Sequence, residues 1–441
     1  MSLPQTATEI VHRLQQAGFE AFWVGGCVRD LLLKREPEDY DIATSAHPPQ
    51  IETLFARTIP VGRQFGVLLV IEGGEQFQVA TFRAESDYHD GRHPGQVTFS
   101  DAMADARRRD FTVNGLFYNP ITSEIYDWVG GKADLEAKVL RTIGVAADRF
   151  AEDHLRLLRA VRFAAQLNFR IEEETFSAIQ ENALKIQSVS AERVRDELNK
   201  LFHPPHAARG LELLRDSGLL IYVLPELHAT LTCEQSPDFH PEGTVFNHLV
   251  RMLEQLPADS NLSLAWAALL HDIAKPQTWS RDQETGSIHF YGHEKLGAEM
   301  AESILQRLRF PRKQIDEIVT CVSHHMQFKD VTRMRKATLR RLLMRPTFPL
   351  ELELHRLDCL GSHGRLDHYN FLIEQARTLE NQPEIRPPLI TGDDLIALGM
   401  TPGPAMGAVL TEIRNRQLQG ELTTQEEARR WAKEQLGRLA T

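Results

Sequence analysis

The stretch Phe22–Ser45, FWVGGCVRDLLLKREPEDYDIATS, contains a short apolar strand, a glycine pair, a helix start and a second strand that carries two aspartates. At Gly25-Gly26 the backbone can approach a ligand closely, because neither residue has a Cβ atom. The residues that follow, Cys27–Lys34, predict a helix whose first N–H groups favour an anion such as a triphosphate. We therefore expect a phosphate-binding turn at which Gly26 and Arg29 contact phosphate oxygens.

Two carboxylates follow this turn. Asp39 and Asp41 alternate with Tyr40 on a strand predicted over Tyr40–Ala43, so both project to one side, about 7 Å apart along the backbone. Hard oxygen ligands beside a phosphate-binding turn indicate a Mg²⁺ site for phosphoryl or nucleotidyl transfer. The alternative is a glycine turn followed by two solvated aspartates, since short motifs recur by chance.

Length and composition indicate a globular protein of several domains. The chain has 441 residues, of which 42% are hydrophobic and 25% are charged, and this length exceeds that of one ordinary core. The formal net charge of −11 counts against an RNA-binding protein. Residues 307–345, however, contain eleven Lys and Arg against three acids. That local excess fits either a phosphate backbone or a solvated helical face.

Cysteine usage and the N-terminus predict a cytoplasmic protein. Cys27, Cys233, Cys321 and Cys359 are scattered without a CxxC pair, as is typical of reduced thiols. The first twenty residues form an amphipathic pattern and not a signal peptide. No apolar run approaches the ~20 residues of a membrane span. We expect no membrane association, and the pattern leaves the oligomeric state open.

The predicted fold class is α+β, with a small head of mixed sheet and helices followed by a long helical body. Strand-like runs at 66–71 and 76–82 flank a hairpin signal, whereas the polar residues 84–98 lack periodicity and predict a mobile or functional loop. From Arg149 onward nearly every segment has helical spacing. The predicted domains are 1–140 (head), 141–225 (helical neck and RNA-binding body), 244–375 (helical metal-binding domain) and 389–441 (C-terminal helical module), with a connector at 225–243 and a linker at 383–388.

A basic run, Arg107–Asn114 (RRRDFTVN), follows the loop. Beside a nucleotide site, Arg109 would donate to a phosphate or to the ribose, with Asp110 orienting it. Asp110 could also be a third carboxylate that organises the metal. By itself the run would be an ordinary basic cluster at a helix start.

The motif Glu152–Arg156 (EDHLR) predicts base recognition. Asp153 and Arg156 are three residues apart, so on a helix they are neighbours on one face. An acceptor beside a donor matches the Watson–Crick edges of adenine and cytosine. Guanine and uracil present the reverse order and would leave buried polar groups unpaired, at about 1–3 kcal/mol each. The alternative is a surface salt bridge worth under ~1 kcal/mol.

A series of histidines and aspartates lies farther along the chain. Alone, each histidine on an apolar helix would be a core residue, but imidazole and carboxylate ligands from separate helices can hold one or two divalent metals. His324 and His325 are about 100° apart on a helix, so one of them can face a metal. The candidate metal ligands are His248, His271, Asp272, His293, His325 and Asp358.

The motifs GGCVRD and DYDIATS resemble the signature of the nucleotidyltransferase superfamily that includes polymerase beta. More narrowly, with RRDFTVN and EDHLR, they resemble the class II tRNA nucleotidyltransferase and bacterial poly(A) polymerase family. This resemblance implies a polymerase-beta-like head and a two-metal reaction with Mg²⁺ on Asp39 and Asp41. It also implies that AMP from ATP, and CMP from CTP as a possible second nucleotide, is added to a tRNA 3′ end with release of pyrophosphate. It also implies that Arg159 and Arg162 contact the nucleotide.

The series H…HD…H…H…D resembles an HD-type metal-dependent phosphohydrolase, which implies a second divalent metal such as Mn or Ni. In that comparison VSHHMQF matches with His325 as the ligand. In the tRNA nucleotidyltransferase family, a flexible loop at the position of 84–98 helps the pocket to accept ATP. Its full length here argues against an enzyme that adds only cytidines.

Three functions therefore remain open from the sequence. The first is maturation of the tRNA 3′ end by addition of CCA or of the terminal adenosine. The second is a poly(A) polymerase, which would share every catalytic residue; the stretch NGLFYNP resembles adenosine-adding and polyadenylating members. The third is an HD-type hydrolase with a non-catalytic RNA-binding head, which Asp39, Asp41, Asp153 and Arg156 disfavour.

Overall fold

The computed structural model describes residues 1–88, 91, 94–237, 240–380 and 388–439. The chain divides into two compact units. One comprises Met1–Leu231 with Pro257–Leu262 and Ile304–Phe310, and the other comprises Thr232–Leu256, Ser263–Ser303 and Pro311–Thr441. The change of unit at residue 231 falls inside the predicted connector at 225–243, while the finer domain bounds stay predictions.

The first unit begins with a head of alternating strands and helices. Its elements are α1 (Leu3–Gln16), β1 (Ala21–Val24), α2 (Gly26–Leu32), β2 (Ile42–Thr44), α3 (Pro48–Leu54), β3 (Thr58–Gly62), β4 (Val67–Glu72), β5 (Glu75–Thr81), β6 (Arg83–Tyr88), β7 (Pro94–Phe99), α4 (Ala102–Arg107), β8 (Phe117–Asn119), β9 (Glu124–Tyr126) and α5 (Gly131–Ala137).

Seven of these strands form one mixed sheet in the order β3-β4-β5-β2-β1-β8-β9. The β2–β5 pair is parallel, and the other pairs are antiparallel. Phe22 of β1 packs with Phe82 and Phe117, at centroid distances of 6.1 and 6.0 Å, which buries one face of the sheet. The predicted mixed-sheet head is confirmed, and the glycine pair directly follows β1 while the two aspartates directly precede β2.

Both hairpin regions of the head are regular. The predicted hairpin around Gly73-Gly74 is confirmed, because β4 and β5 pair across it with both glycines at positive φ. The loop prediction for 84–98 is wrong for its described residues, since β6 and β7 pair antiparallel. Backbone hydrogen bonds between β6 and β7 hold this hairpin together. The sequence here lacks the alternation of apolar and polar residues that would have predicted the two strands. Residues 89, 90, 92 and 93 lie outside the described part of the chain.

The helical neck completes the main segment of the first unit. Helix α7 (Arg156–Leu167), in the region of helical spacing predicted from Arg149 onward, is followed by Asn168 in a left-handed conformation (φ 56°). The neck also contains two short strands, β10 (Val139–Leu140) and β11 (Arg170–Ile171), which pair in parallel. The sequence analysis did not predict these strands. The elements of the neck are β10 (Val139–Leu140), α6 (Ala146–Glu152), α7 (Arg156–Leu167), β11 (Arg170–Ile171), α8 (Glu173–Asn182), α9 (Ala191–Leu201), α10 (Ala207–Asp216), α11 (Leu220–Val223) and α12 (Pro225–His228).

The second unit is mainly helical, as predicted, with one added hairpin of β12 and β13. Helix α14 is buried over Ser263–Leu270 and leads directly into the HD pair. Most of the predicted linker 383–388 lies outside the described residues. The remaining elements are α13 (Val245–Glu254), α14 (Leu262–Leu270), α15 (Lys275–Thr278), β12 (Trp279–Arg281), β13 (Ile288–Phe290), α16 (His293–Arg307), α17 (Arg312–His324), α18 (Lys336–Leu343), α19 (Phe348–Gly361), α20 (Asp367–Glu380), α21 (Gly392–Ala397), α22 (Pro404–Gln419) and α23 (Gln425–Leu439).

Throughout the part of the chain that the structure describes, no helix combines the length and apolarity needed to cross a membrane.

Candidate active site and metal centre

The glycine pair forms the turn between β1 and α2. Gly25 has a φ of 76°, a conformation that favours glycine, and its N–H donates to the Leu116 carbonyl across 3.2 Å. A Cβ atom at Gly25 would lie 3.1 Å from Arg109 Nη1. The turn therefore lets the Arg109 guanidinium lie directly against the backbone that precedes Gly26.

The aspartates lie just before β2 and not on it. Trp23 of β1 pairs with Ile42, and the Val24 N–H donates to the Asp41 carbonyl across 2.9 Å. Strand β1 ends at Val24, and Gly25 turns the chain into α2. Asp39 therefore lies beyond the end of β1 and has no residue of that strand opposite it. The predicted strand position is therefore wrong for both Asp39 and Asp41, because β2 begins only at Ile42.

The charges at these aspartates fit a cation site. Asp39 is exposed and Asp41 is half-buried. Burial, and then the nearby Asp39 charge, raise the pKa of Asp41 to about 6, while Arg109 opposes the shift. Two neighbouring carboxylates, one of them poorly solvated, form a donor set of hard oxygens that a divalent cation would stabilise.

Arg29 of α2 is buried and held by two partners that the sequence reasoning missed. Its Nε and Nη2 donate to the two oxygens of Asp30 across 2.9 Å each, and its Nη1 donates to Asn114 Oδ1 across 2.8 Å. This bidentate pairing fixes the guanidinium plane. The proposed contact of Arg29 with phosphate therefore depends on the N–H groups that these bonds leave.

Arg109 is oriented by Asp105 and not by Asp110, so that part of the prediction is wrong. Arg109 Nη2 lies 3.0 Å from Asp105 Oδ2, and Arg108 Nη2 lies 2.7 Å from Asp105 Oδ1. Burial raises the pKa of Asp105, but the two guanidinium groups outweigh it and lower the pKa overall. The i,i+4 spacing of Asp105 and Arg109 was the available signal in the sequence.

Asp110 connects the head to the neck through an ion pair with Arg159. Its Oδ2 accepts from Arg159 Nε at 2.9 Å and Nη2 at 2.5 Å, while its Oδ1 accepts from the Phe111 N–H at 2.8 Å and from Asn114 Nδ2 at 3.1 Å. Burial would raise its pKa, but Arg159 lowers it to about 2. Both oxygens are engaged by donors, so the arrangement does not favour a third metal-organising carboxylate.

Asp153 and Arg156 do not share a helix face, which overturns the predicted geometry. Helix α6 ends at Glu152, Asp153 is extended (φ −143°, ψ 106°), and α7 begins at Arg156. Asp153 Oδ2 accepts from Arg193 Nη2 across 2.7 Å. Arg156 Nη1 donates to Glu152 Oε2. Asp153 and Arg156 are thus each held by a charged partner of their own, and their predicted role in base recognition stays a prediction.

Arg159 and Arg162 lie against Glu197, a buried residue of α9. Arg162 Nε is 2.5 Å and Arg159 Nη1 is 3.9 Å from the Glu197 carboxylate. The Arg162 guanidinium carbon lies 3.9 Å from the centroid of the Phe163 ring. The structure places both side chains on protein carboxylates, and their predicted contact with the nucleotide stays a prediction.

The head and neck motifs meet at a single carbonyl. The Arg108 carbonyl accepts from Arg156 Nη2 at 3.2 Å and from Arg149 Nη1 at 3.4 Å. Together with the Asp110–Arg159 ion pair, this bond brings the basic run and the EDHLR motif into one site. The glycine turn, which contacts Arg109, and the EDHLR motif are therefore two sides of one arrangement in the first unit.

The second unit gathers the histidines and aspartates into two triads, together called the HD centre. Within each triad the ligand atoms all lie within 4.8 Å of one another. In the first, His248 Nε2 is 3.2 Å from Asp358 Oδ1; in the second, His293 Nε2 is 3.4 Å from Asp272 Oδ1. The triads are His248, His271 and Asp358, and Asp272, His293 and His325.

The other ring nitrogen of each histidine is already bonded. Nδ1 lies 2.9 Å from the Ala268 carbonyl in His271, 2.7 Å from the Phe290 carbonyl in His293 and 2.6 Å from the Val322 carbonyl in His325. Nδ1 of His248 lies 2.8 Å from Glu242 Oε1. Because these acceptors hold the Nδ1 proton, the Nε2 lone pairs face inward, as is typical of metal-binding histidines. This arrangement fits a divalent metal.

His325 lies in the cluster, whereas His324 Nδ1 lies 3.6 Å from Glu351. The structure therefore places His325, the histidine that the HD-type resemblance gives as the ligand, beside Asp272 and His293. Its role as a ligand stays a prediction. Burial lowers the pKa of His325 to about 3, so its ring is neutral, as a ligand requires. Lys275, which the sequence analysis did not include among the site residues, lies three residues after Asp272 and places its Nζ 2.6 Å from Asp272 Oδ2.

These features define a nucleotidyltransferase head and neck joined to an HD-type metal centre. Three family profiles agree: the poly A polymerase head domain over 21–141, the probable RNA and SrmB-binding site of polymerase A over 168–231, and the HD domain over 243–360. The chain belongs to the tRNA nucleotidyltransferase family, and it is a nucleotidyltransferase. Members of such a family use divalent metal ions, for which the residues described above are candidates.

Several relatives match this chain over nearly its whole length. The CCA-adding enzyme of Streptococcus mutans is 34% identical over 96% of this chain and 95% of its own. The A-adding tRNA nucleotidyltransferase of Deinococcus radiodurans is 35% identical over 94% and 96%. The crystal structure of the Bacillus stearothermophilus CCA-adding enzyme in complex with CTP is similar, with 28% identity, a TM-score of 0.76 and coverage of 100% and 99%. The Thermotoga maritima CCA-adding enzyme complexed with tRNA, 18% identical with a TM-score of 0.61 and coverage of 98% and 95%, shares the fold.

Proposed function

We propose that the chain adds AMP, and also CMP, from ATP and CTP to the 3′ end of tRNA. The RNA 3′-hydroxyl attacks the α-phosphorus in line, and pyrophosphate leaves. The observation that carries this proposal is the meeting of the basic run and the EDHLR motif at the Arg108 carbonyl, which makes one site of the phosphate and base halves. The printed names of the relatives support the same reaction. Such a substrate implies a cytoplasmic enzyme.

In this proposal Asp39 and Asp41 hold Mg²⁺, the ion that suits two hard oxygen donors beside a triphosphate. When bound there, Mg²⁺ would neutralise the triphosphate charge and favour ionisation of the RNA hydroxyl. The protein's own contribution is positioning. Gly26 admits the phosphates to the backbone, and Arg109 donates to them from the orientation that Asp105 imposes.

The base is read at the joint between α6 and α7. Asp153 accepts from the exocyclic amine of adenine or cytosine, and Arg156 donates to the adjacent ring nitrogen. Arg193 and Glu152 hold these two groups in place. Guanine and uracil would leave them facing like groups, which is the physical source of selectivity.

The same residues would serve full CCA addition, addition of the terminal adenosine alone, or polyadenylation. A CCA-adding enzyme and an A-adding tRNA nucleotidyltransferase are both similar to this chain. The deciding experiment supplies purified protein with tRNA that ends before the tail, after CC or after the complete CCA, each with single nucleotides, and sequences the products. CMP incorporation on the first substrate establishes CCA addition. Extension of the complete end by many adenosines indicates a poly(A) polymerase.

The catalytic assignment has its own control. Asp39→Ala combined with Asp41→Ala should abolish nucleotide addition and leave folding intact, whereas Glu38→Ala, an exposed neighbour, should behave as the native chain. Persistent incorporation by the double variant would remove the basis of the two-aspartate site. It would also favour the reading in which the head binds RNA without catalysis.

A second activity is supported by the inward Nε2 atoms of the HD centre. We infer a metal-dependent phosphohydrolase that uses a divalent ion such as Mn or Ni, held by the two triads. His271→Ala with Asp272→Ala should remove metal-dependent phosphatase or phosphodiesterase activity while nucleotide addition continues. Hydrolysis that survives this change would exclude the HD centre as its source.

A further inference from the structure

One histidine of the HD centre is supported differently from the other three. Nδ1 of His248 lies 2.8 Å from Glu242 Oε1, whereas the Nδ1 atoms of the other three histidines lie beside backbone carbonyls. A carboxylate is a charged acceptor, and charge-assisted hydrogen bonds are about twice as strong as bonds between neutral groups. His248 is therefore the histidine whose orientation depends on a side chain, and that side chain can be replaced by mutation.

Glu242 is itself held beside His248. Only 1% of its side chain is exposed, and its Oε1 also lies 2.9 Å from His240 Nδ1. Its backbone carbonyl accepts from Asn247 Nδ2 across 3.1 Å, which ties Glu242 to the first turn of α13. Because α13 also carries His248, the carboxylate and the imidazole ring are fixed to the same end of one helix.

The backbone next to Glu242 is anchored as well. The Gln235 N–H donates to the Gly243 carbonyl across 3.0 Å, and the Val245 N–H donates to the Cys233 carbonyl across 2.9 Å. These two bonds join the chain that enters this segment to the chain that leaves it for α13. They limit the movement of the backbone that follows Glu242, so its carboxylate is held in a defined position.

We propose that Glu242 is a positioning residue of the HD centre, which orients His248 toward the ion held by the first triad. The inference rests on the metal centre of the phosphohydrolase proposed above. Glu242 accepts the Nδ1 proton, so the Nε2 lone pair faces the side on which Asp358 Oδ1 lies 3.2 Å away. The two histidines of the second triad have carbonyl acceptors instead, so the effect of Glu242 should be confined to the first triad.

Glu242 also belongs to a third group of possible ligands, formed with His240 and His248. An ion in that group would have to take Nδ1 of His248 while Nε2 serves the first triad. A neutral imidazole has one nitrogen with a proton and one with a free lone pair. His248 could therefore serve both ions only by losing both ring protons. The hydrogen-bonded arrangement requires no such loss, which favours a positioning role for Glu242.

The test measures Mn²⁺ binding by calorimetry in the full-length chain carrying Asp39→Ala and Asp41→Ala, a parent that lacks the proposed cation site of the head. Glu242→Gln keeps an acceptor for His248 but removes its charge, and we expect the affinity of one class of site to fall about tenfold. Glu242→Ala removes the acceptor altogether, so the affinity of that class should fall further, by up to about a hundredfold.

Glu294→Gln in the same parent is the matched control. Glu294 Oε2 lies 3.9 Å from His293 Nδ1, but that nitrogen is already bonded to the Phe290 carbonyl. The substitution removes a carboxylate near the HD centre without removing the acceptor of a histidine. We therefore expect Glu294→Gln to bind Mn²⁺ with the affinity of the parent.

Thermal unfolding separates positioning from folding. An ion that binds only the folded chain raises its unfolding midpoint by an amount that depends on its affinity. We therefore expect the rise caused by Mn²⁺ to be smaller in Glu242→Gln than in the parent. A merely structural role would instead lower the midpoint of the metal-free chain and leave the rise caused by Mn²⁺ unchanged.

The outcomes separate this inference from the proposed metal centre. Unchanged Mn²⁺ affinity in both Glu242 variants would overturn the positioning role and leave the metal centre standing. A loss in Glu294→Gln as large as in Glu242→Gln would show a general effect of negative charge and would also overturn it. Loss of one Mn²⁺ ion from three, with the other two bound as before, would make Glu242 a ligand instead. Failure of the parent to bind Mn²⁺ would overturn the metal centre, and the positioning role with it.

Discussion

Arg193 Nη2 lies 2.7 Å from Asp153 Oδ2, so a residue of α9 holds the carboxylate that we propose reads the base. Arg156 is held in the same way by Glu152. Asp153 and Arg156, the proposed base readers, are therefore part of a group of four charged side chains. Their geometry depends on Arg193 and Glu152.

Arg193→Ala should relax base selection. Without its guanidinium, Asp153 can rotate away from the adenine or cytosine edge, and we expect the preference for ATP over GTP in kcat/KM to fall about tenfold, which corresponds to about 1.4 kcal/mol. Arg195→Ala is the matched control, because Arg195 lies on the same helix and pairs with Asp196. An unchanged nucleotide profile in Arg193→Ala would contradict a positioning role, and Arg193→Lys should restore part of the selectivity.

Asp41 should make metal binding in the head sensitive to mildly acidic pH. Its pKa is raised to about 6 by burial and by Asp39, against the effect of Arg109. Because the folded-state pKa lies above the ordinary value, lowering the pH below about 6 protonates Asp41 and a proton then competes with Mg²⁺. The apparent Mg²⁺ affinity, measured through AMP addition, should fall as the pH decreases through this range. An affinity that stays constant from pH of about 7 to about 5 would argue against Asp41 as a ligand.

Asp110→Asn should destabilise the first unit. The folded-state pKa of Asp110 is depressed from 3.8 to about 2, so its ionised form contributes stability above the unfolded value. That contribution is lost as the pH falls from about 4 to about 2. We expect a loss on the order of 2 kcal/mol in the free energy of unfolding at neutral pH, and near none at the acidic end. Denaturant titration measures both, and Asp196→Asn, at an exposed aspartate, serves as the neutral comparison.

His325→Ala and His324→Ala should separate metal binding from folding. His325 belongs to the second triad, whereas His324 faces Glu351. We expect the first substitution to lower the amount of divalent metal bound per chain, as determined by elemental analysis after dialysis, and the second to leave it unchanged. Nucleotide addition should persist in both variants, because its residues lie in the other unit. Equal metal content in the two variants would mean that His325 is not a ligand.

The sequence predicted best what depends on local order along the chain. The glycine turn, the hairpin at Gly73-Gly74 and the histidine series each have spacing or residue types that determine their geometry. Partners remote in sequence were missed, because nothing in the local pattern links Arg193 to Asp153 or Glu197 to Arg162. The shared helix face failed for a different reason: regular helical spacing was assumed across a break at Asp153.

The Nδ1 atoms of His271, His293 and His325 are engaged by carbonyls of their own chain segments. Secondary structure, and not the ion, therefore sets the direction in which each ring points. We expect a chelator to strip this centre without unfolding the unit around it, and the same independence would let mutation erase the ligands one at a time while the scaffold survives. The second activity proposed for this centre could therefore be lost, or regained, at little cost to the enzyme that shares its chain.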